Sequence, residues 1–428
     1  MNIDLIKDRN FILLILGKFV SLLGSNMQQF ALSLYVLEIT GSATIFASML
    51  SISILPRLIL SPIAGVFGDW FDRKKSIVIL DLLNSVIIGV FAIIFMVKGS
   101  FTIPLLYILV ILLEITEIFF NSAMAAVIPS MVEKDQLLDA NSFTSLVMNL
   151  GQLLAPLIGA LLYEAFGLKI LLIINSISFL ISGISEIFIN IPQKHKRPER
   201  VNLKSFKTDL IEGIKIIKNN KFIYTMISLG TITNFSISPL FSVGMIYMVK
   251  EVLKATDFQF GLFEMILAAS LIAAPIIFSK QIKNTQVGKL CYISFISIGL
   301  AILIMVPIPS ETILNLFDSN IVPYILLMAV SFMVGALATV ANIAIGTIFD
   351  QVTPLELMGR TKTVFNLAVT VFIPVGQMIF GFLYDIISPS YVIAISGTIM
   401  ILSVKKYRKS LLELDEQNPL VGVGVNEI

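Results

Sequence analysis

The 428 residues contain one cysteine, one histidine and one tryptophan, and charged residues are scarce at 14%. Each shortage excludes something. A lone Cys291 can form neither an internal disulfide nor a thiolate cluster for zinc or iron. Inside an apolar block it reads as a small buried hydrophobe. His195 lies in a basic run and reads as a solvated loop residue, so neither a metal site nor a cofactor is expected. The net charge of +2 is dispersed between apolar blocks, which leaves no basic stripe for nucleic acid. There is no Gly-x-x-x-x-Gly-Lys loop, so ATP hydrolysis within the chain is not expected as an energy source. With no metal triad or activated nucleophile, the chain does not read as an enzyme.

What is present is apolar. Hydrophobic residues make up 57% of the chain, against roughly 45–50% in soluble domains. They fall into blocks about as long as the roughly 20 residues a helix needs to cross a hydrocarbon core about 30 Å thick. The sequence therefore predicts an all-α integral membrane protein with twelve spans, at about 11–37, 43–67, 76–97, 101–127, 141–165, 168–191, 221–249, 258–279, 286–307, 321–348, 361–386 and 389–404. The first block lacks the short core and small-residue cleavage site of a signal peptide, so it reads as a permanent span.

Four regions follow: a six-helix half over 1–191, a polar linker over 192–220, a second six-helix half over 221–404 and a tail over 405–428. In the linker, Leu203, Phe206, Leu210, Ile214 and Ile217 recur at helical spacing opposite lysines, the pattern of an amphipathic helix on a membrane surface. Lysine and arginine set the orientation. Arg73, Lys74, Lys75, Lys280, Lys283, Arg360, Lys362 and the Lys405–Lys409 run all fall on even-numbered loops or the tails. Odd-numbered loops carry only Lys98, Lys169, Lys250 and Lys254. A multi-pass protein of the cell membrane with both termini cytoplasmic is expected.

The two halves also resemble each other. Spans four and ten lead into spans five and eleven through similar Pro- and Gln-containing segments, and those spans end Gly159-Ala-Leu-Leu-Tyr163 and Gly381-Phe-Leu-Tyr384. Parallel six-span repeats are a common way to build a transport site between two halves.

Ionisable residues inside spans are the sharpest functional signal, because a charge at the bilayer centre costs at least about 2.5–3.5 kcal/mol on insertion scales. Glu114 and Glu117 stand three apart near the middle of span four, on the face that carries Tyr107 and Asn121. Two such carboxylates can share one exchangeable proton, and they are the candidates for proton coupling. Glu264 and Glu186 are intramembrane acids with no acid beside them in sequence. Lys18 lies near a membrane edge, and Arg57 reads either as the neutraliser of an acid such as Asp81 or as a snorkelling residue.

After span two the chain reads Gly65-Val-Phe-Gly-Asp69-Trp-Phe-Asp72-Arg73-Lys74-Lys75. This resembles the signature loop of the major facilitator superfamily, with Trp70 where a basic residue is usual and Asp72 where glycine is usual. The Asp-Arg-Lys-Lys form followed by Asp81 is most similar to the macrolide-efflux branch, as are Ser21-Leu-Leu-Gly-Ser25, Thr40-Gly-Ser42, Leu137-Leu-Asp-Ala-Asn-Ser142 and Asp209-Leu-Ile-Glu-Gly213. The resemblance implies the major facilitator fold, and a conformational latch at Gly65, Asp69, Asp72 and Arg73. Gly151-Gln-Leu-Leu-Ala-Pro156-Leu-Ile-Gly159 resembles the motif of exporters that exchange substrate for protons.

The resemblance further implies a central cavity lined by spans one, four, seven and ten. On those spans Ser25, Gln28, Tyr35, Asn121, Asn234, Ser331 and Asn342 are the candidate lining residues. The expectation is a monomer in membrane lipid that exports a small amphipathic substrate, such as a macrolide-like drug, against protons. Export of a siderophore or lipid on the same fold, or a receptor without transport, are the alternatives.

Overall fold

The computed structural model describes residues 8–70, 72–125, 127–133, 136–191, 220–317, 319–353 and 358–417. Among the described residues, ten helices are long and apolar enough to cross a membrane. One of these, Leu137–Ile187, is broken at Gly167, whose φ of 68° and ψ of −173° belong to a region open essentially to glycine alone. It therefore supplies two spans joined by a single residue. A last helix, Pro389–Gln417, begins with the apolar stretch 389–404 and continues into lysines and acids. The sum is the twelve-helix, all-α membrane architecture.

The helices are α1 (Arg9–Thr40), α2 (Ala43–Trp70), α3 (Arg73–Lys98), α4 (Ile103–Met124), α5 (137–166), α6 (168–187), α7 (Lys221–Val252), α8 (Asp257–Ile277), α9 (Val287–Met305), α10 (Ile321–Val352), α11 (Met358–Ile386, in two pieces) and α12 (Pro389–Gln417). Local chemistry sets their ends. Asp72 caps α3 by accepting from the Lys75 amide, and Gly99, at φ 74°, closes it with its N–H on the Phe95 carbonyl. The glycine provides the left-handed stop that a β-carbon would strain. Pro104 stands in the first turn of α4, where its missing N–H costs nothing. Asn220 caps α7 through the Phe222 and Ile223 amides.

The helices form two compact units. The first gathers α1, α2 from residue 52, α3 to α6 and the opening turns of α8 (257–265). The second gathers residues 41–51, α7, the rest of α8 and α9 to α12. In the first, Phe11, Leu14, Ile15, Ile77, Leu80, Phe120 and Met124 build an apolar core at one end of the bundle. In the second, Ile223, Phe349 and Val364 form a smaller cluster. Many large apolar side chains face outward in both, Ile59, Val97, Leu161, Ile276, Ile304 and Leu402 among them. A water-soluble protein would not tolerate such a belt, whereas lipid is its natural solvent.

Small residues set the helix approach. In the first unit, a β-carbon on Gly159 would lie 3.4 Å from the Met27 Cα of α1, and one on Gly261 only 2.8 Å from the Pro156 carbonyl. The Gly151–Gly159 stretch is thus a seam where α5 packs backbone to backbone against α1 and the start of α8. In the second unit, Gly376 holds α11 so close to α7 that a β-carbon there would collide with the Phe235 carbonyl. The symmetry of sequence, Gly-then-Tyr at the ends of α5 and α11, recurs as glycine contacts in both units, since Gly381 abuts Ala43 and Ala47.

Candidate functional site

The interior of the first unit carries charge. Glu114, at mid-height in α4, is 9% exposed. Arg57 of α2 donates from Nε to Glu114 Oε1 at 2.7 Å, and a terminal nitrogen of the same guanidinium lies 2.6 Å from that oxygen. Arg57 is therefore committed to Glu114 and not to Asp81, the neutralising partner suggested by the sequence. One turn along α4, Glu117 is exposed and within electrostatic reach of Glu114. Asn121 Nδ2 donates to Glu117 Oε1 at 3.4 Å, a long contact. The two glutamates do share a region of α4, but they differ in state: one is buried against a cation, the other open.

The polar residues expected to line a cavity divide into three groups. Asn121 and Asn342 are exposed and Ser25 is half-buried. Gln28 and Tyr35 of α1 are turned into helix contacts: Gln28 accepts from Asn175 Nδ2 of α6 at 2.7 Å, and the Tyr35 hydroxyl accepts from the Phe101 amide at 2.8 Å while its ring meets Phe95 and Phe101 edge-on. Asn234 donates to the Val369 carbonyl of α11 at 2.9 Å, and Ser331 is buried with its hydroxyl 3.7 Å from the Met245 sulfur. Helical spacing gives the face of a helix but not which neighbour occupies it.

α7 departs from regular geometry around Asn234. Three wide π-helical turns, Thr233–Ile237, Leu240–Gly244 and Met248–Val252, interrupt it, the second opening directly after Pro239. Such turns re-aim side chains and are frequent at functional positions. No pattern of residue types announced them.

At the α2–α3 connection, Asp72 caps α3, and the Lys74 ammonium donates to the Ile187 carbonyl at the end of α6 at 2.8 Å. A cation at a helix C-terminus satisfies orphan carbonyls and the helix dipole together. Arg73 is also engaged in an interaction. Gly65 and Asp69 lie on the last turns of α2. The amphipathic helix expected over 203–217 and His195 fall outside the described residues. Cys291 is a fully buried free thiol.

The sequence matches the model of the Major Facilitator Superfamily over residues 14–371. The chain belongs to that superfamily. Among its relatives is macrolide efflux protein A of Streptococcus pyogenes, 22% identical over 387 residues that cover 90% of this chain and 92% of the relative. Another is YkuC of Bacillus subtilis, an uncharacterised transporter of the major facilitator type, 25% identical over 84% of this chain and 82% of its own. Among solved structures, an inward-facing bacterial homologue of the iron transporter ferroportin superposes with a TM-score of 0.72 at 15% identity, over 95% of this chain and 98% of that one. The superfamily member is thus a multi-pass membrane transporter of small substrates, similar over most of its length to a macrolide efflux protein.

Proposed function

We propose that this transporter is a secondary active exporter of amphipathic, macrolide-like compounds, driven by protons that enter through the Glu114–Glu117 region of α4. The observation that carries the reading is the pairing of the buried Glu114 with the half-exposed Arg57, beside the open Glu117. A carboxylate exposed within a span is tolerable where water reaches it, and a hydrated acid one turn from a partly buried ion pair can load a proton and reset that pair. Likeness to macrolide efflux proteins over nine-tenths of the chain supports the substrate class. The Gly151, Pro156 and Gly159 seam of α5 supports the direction of transport, and Gly65, Asp69, Asp72 and Arg73 form the latch between conformations.

Both termini are cytoplasmic in this reading, the chain acts as a monomer in the cell membrane, and the linker of 192–220 lies on the inner surface. Export of macrolides and amphipathic dyes from cells overproducing the protein tests it. Active efflux that a proton ionophore abolishes is expected, whereas ionophore-resistant efflux refutes proton coupling. A siderophore or lipid accumulating in cells that lack the protein, with macrolides untouched, refutes the substrate class. Reporter fusions at Lys204 and Lys409 should report cytoplasm, and fusions at Lys98 and Lys254 the outside.

A further inference from the structure

A second group of charges lies in the first unit, away from the Glu114–Arg57 pair. Asp81 of α3 and Glu186 of α6 are both 0% exposed, and none of their four carboxylate oxygens has a hydrogen-bond partner. They are close enough to act electrostatically on one another, and Lys18 of α1 acts on both. Glu186, which has no acid beside it in sequence, thus has one beside it in space. Glycines create this three-helix junction. A β-carbon on Gly17, next to Lys18, would come 3.2 Å from the Ser182 hydroxyl, and one on Gly183 would come 3.4 Å from the Asp81 Cβ. The Ser182 hydroxyl, itself fully buried, faces the acids without reaching hydrogen-bond geometry.

Orphaned buried carboxylates are rare, and each costs free energy unless something else neutralises it. Two ionised acids and one ammonium leave a net charge of −1 in a dry junction. A metal ion is a poor remedy, since calcium and magnesium want about six or more oxygen ligands, and no group of three or more metal-binding side chains occurs among the described residues. One proton cancels the charge, and a second would strand Lys18.

We propose that Asp81 and Glu186 form a proton-binding site that holds one shared proton under the countercharge of Lys18. The bond formed is an O–H on one carboxyl, which donates to the other carboxylate, and on release the proton passes to water. The groups facing the pair are Lys18 from α1 and Ser182 from α6. Glu117 of α4 also acts electrostatically on Lys18, so Lys18 answers to both the open acid and the buried pair. This site is distinct from the Glu114–Arg57 pair and does not depend on its role in export.

The test is an infrared pH titration of the purified, full-length protein in lipid, which requires neither substrate nor gradient. Wild type should show a buried carboxylic-acid band that titrates, with uptake of about one proton per chain. Asp81→Asn and Glu186→Gln should each lose that proton, because the remaining carboxylate simply pairs with Lys18, while Glu114→Gln keeps it. Lys18→Met should instead move proton release to higher pH by about one unit or more, a signature that a merely structural role would not produce. Wild-type-minus-variant difference spectra that show no lost band for either folded acid variant overturn the shared proton, as does unchanged release in Lys18→Met. Should the acid variants fail to fold, the lysine variant decides alone.

Discussion

The two units solve the same packing problem with different chemistry. Inside the first, the spans hold Lys18, Arg57, Asp81, Glu114 and Glu186, and the opening turns of α8 add Glu264. Inside the second, the buried polar groups are hydroxyls and amides: Ser236, Ser270, Ser294, Ser331, Gln377 and Ser396. Those neutral groups are tied off locally, as where Ser396 donates to the Ser236 carbonyl at 3.1 Å and Ser51 to the Pro374 carbonyl at 3.2 Å. An acid of the second unit near a span end, Asp385, accepts from the Ser42 and Thr44 hydroxyls and the Ala43 and Thr44 amides. It caps a helix start, a structural use of charge. The contrast teaches that neutral polar groups hold helices together at little cost, whereas charges inside spans are expensive and mark candidate functional positions. The first unit is therefore where the proposed proton coupling is placed.

Perturbations that strike each kind of contact can break or sharpen this contrast. The largest effect on stability should come from Arg57→Met, which strands the buried Glu114 carboxylate. Loss of a partner from a fully buried pair costs about 3–5 kcal/mol. Arg57 is half exposed, so about 1–2 kcal/mol is expected, together with proton uptake by Glu114; thermal unfolding in detergent measures the first and pH titration the second. No loss would mean that Glu114 is already neutral. Asp385→Ala removes a helix cap and should cost about 1 kcal/mol, with transport retained if the residue serves only to cap α2.

The duplicated tyrosines give a finer comparison. The Tyr163 hydroxyl donates to Glu38 at 2.7 Å, whereas the Tyr384 hydroxyl is buried without a hydrogen-bond partner. Tyr163→Phe should cost about 1 kcal/mol and Tyr384→Phe should be neutral or stabilising, as read from paired melting curves. Equal losses would erase the distinction. The smallest effect is expected beyond the spans, where Lys221 pairs with Glu413. The hydrogen bond and charge of Lys221 hold the Glu413 carboxyl below its usual value. The contact therefore stabilises above the ordinary glutamate range and is lost as pH falls through the lowered folded value. Melting curves of Lys221→Met should lack that slight acid-side dependence.

Much of this was legible in the sequence because the bilayer imposes a length and a polarity on every span. The break between spans five and six was readable near residue 167 since two apolar blocks met at Phe166-Gly167 with no room for a loop. The close-packing glycines of α5 were likewise a local pattern, whereas the cap that Asp72 makes on α3 was not read from the loop motif. What stayed hidden was pairing across helices. Arg57 carries no mark that it meets Glu114, and nothing near Glu186 announces Asp81, because one helix's sequence does not say which helix faces it. Gln28 and Tyr35 show the same limit: their spacing gives a polar face, and only the fold turns that face toward Asn175 and Phe101. The wide turns of α7 arise from helix packing and leave no periodic trace.

The most direct test of the account is macrolide efflux from proteoliposomes under an imposed pH gradient, comparing wild type with Glu114→Gln and Glu117→Gln at equal protein levels. A ligand shifts a conformational equilibrium only through a difference between its states, so an acid that reads the gradient cannot be neutralised without uncoupling transport. At least one variant should lose uphill efflux altogether while still binding the macrolide, with binding that no longer varies with pH near neutrality. Uphill efflux with wild-type pH dependence in both variants would contradict the account.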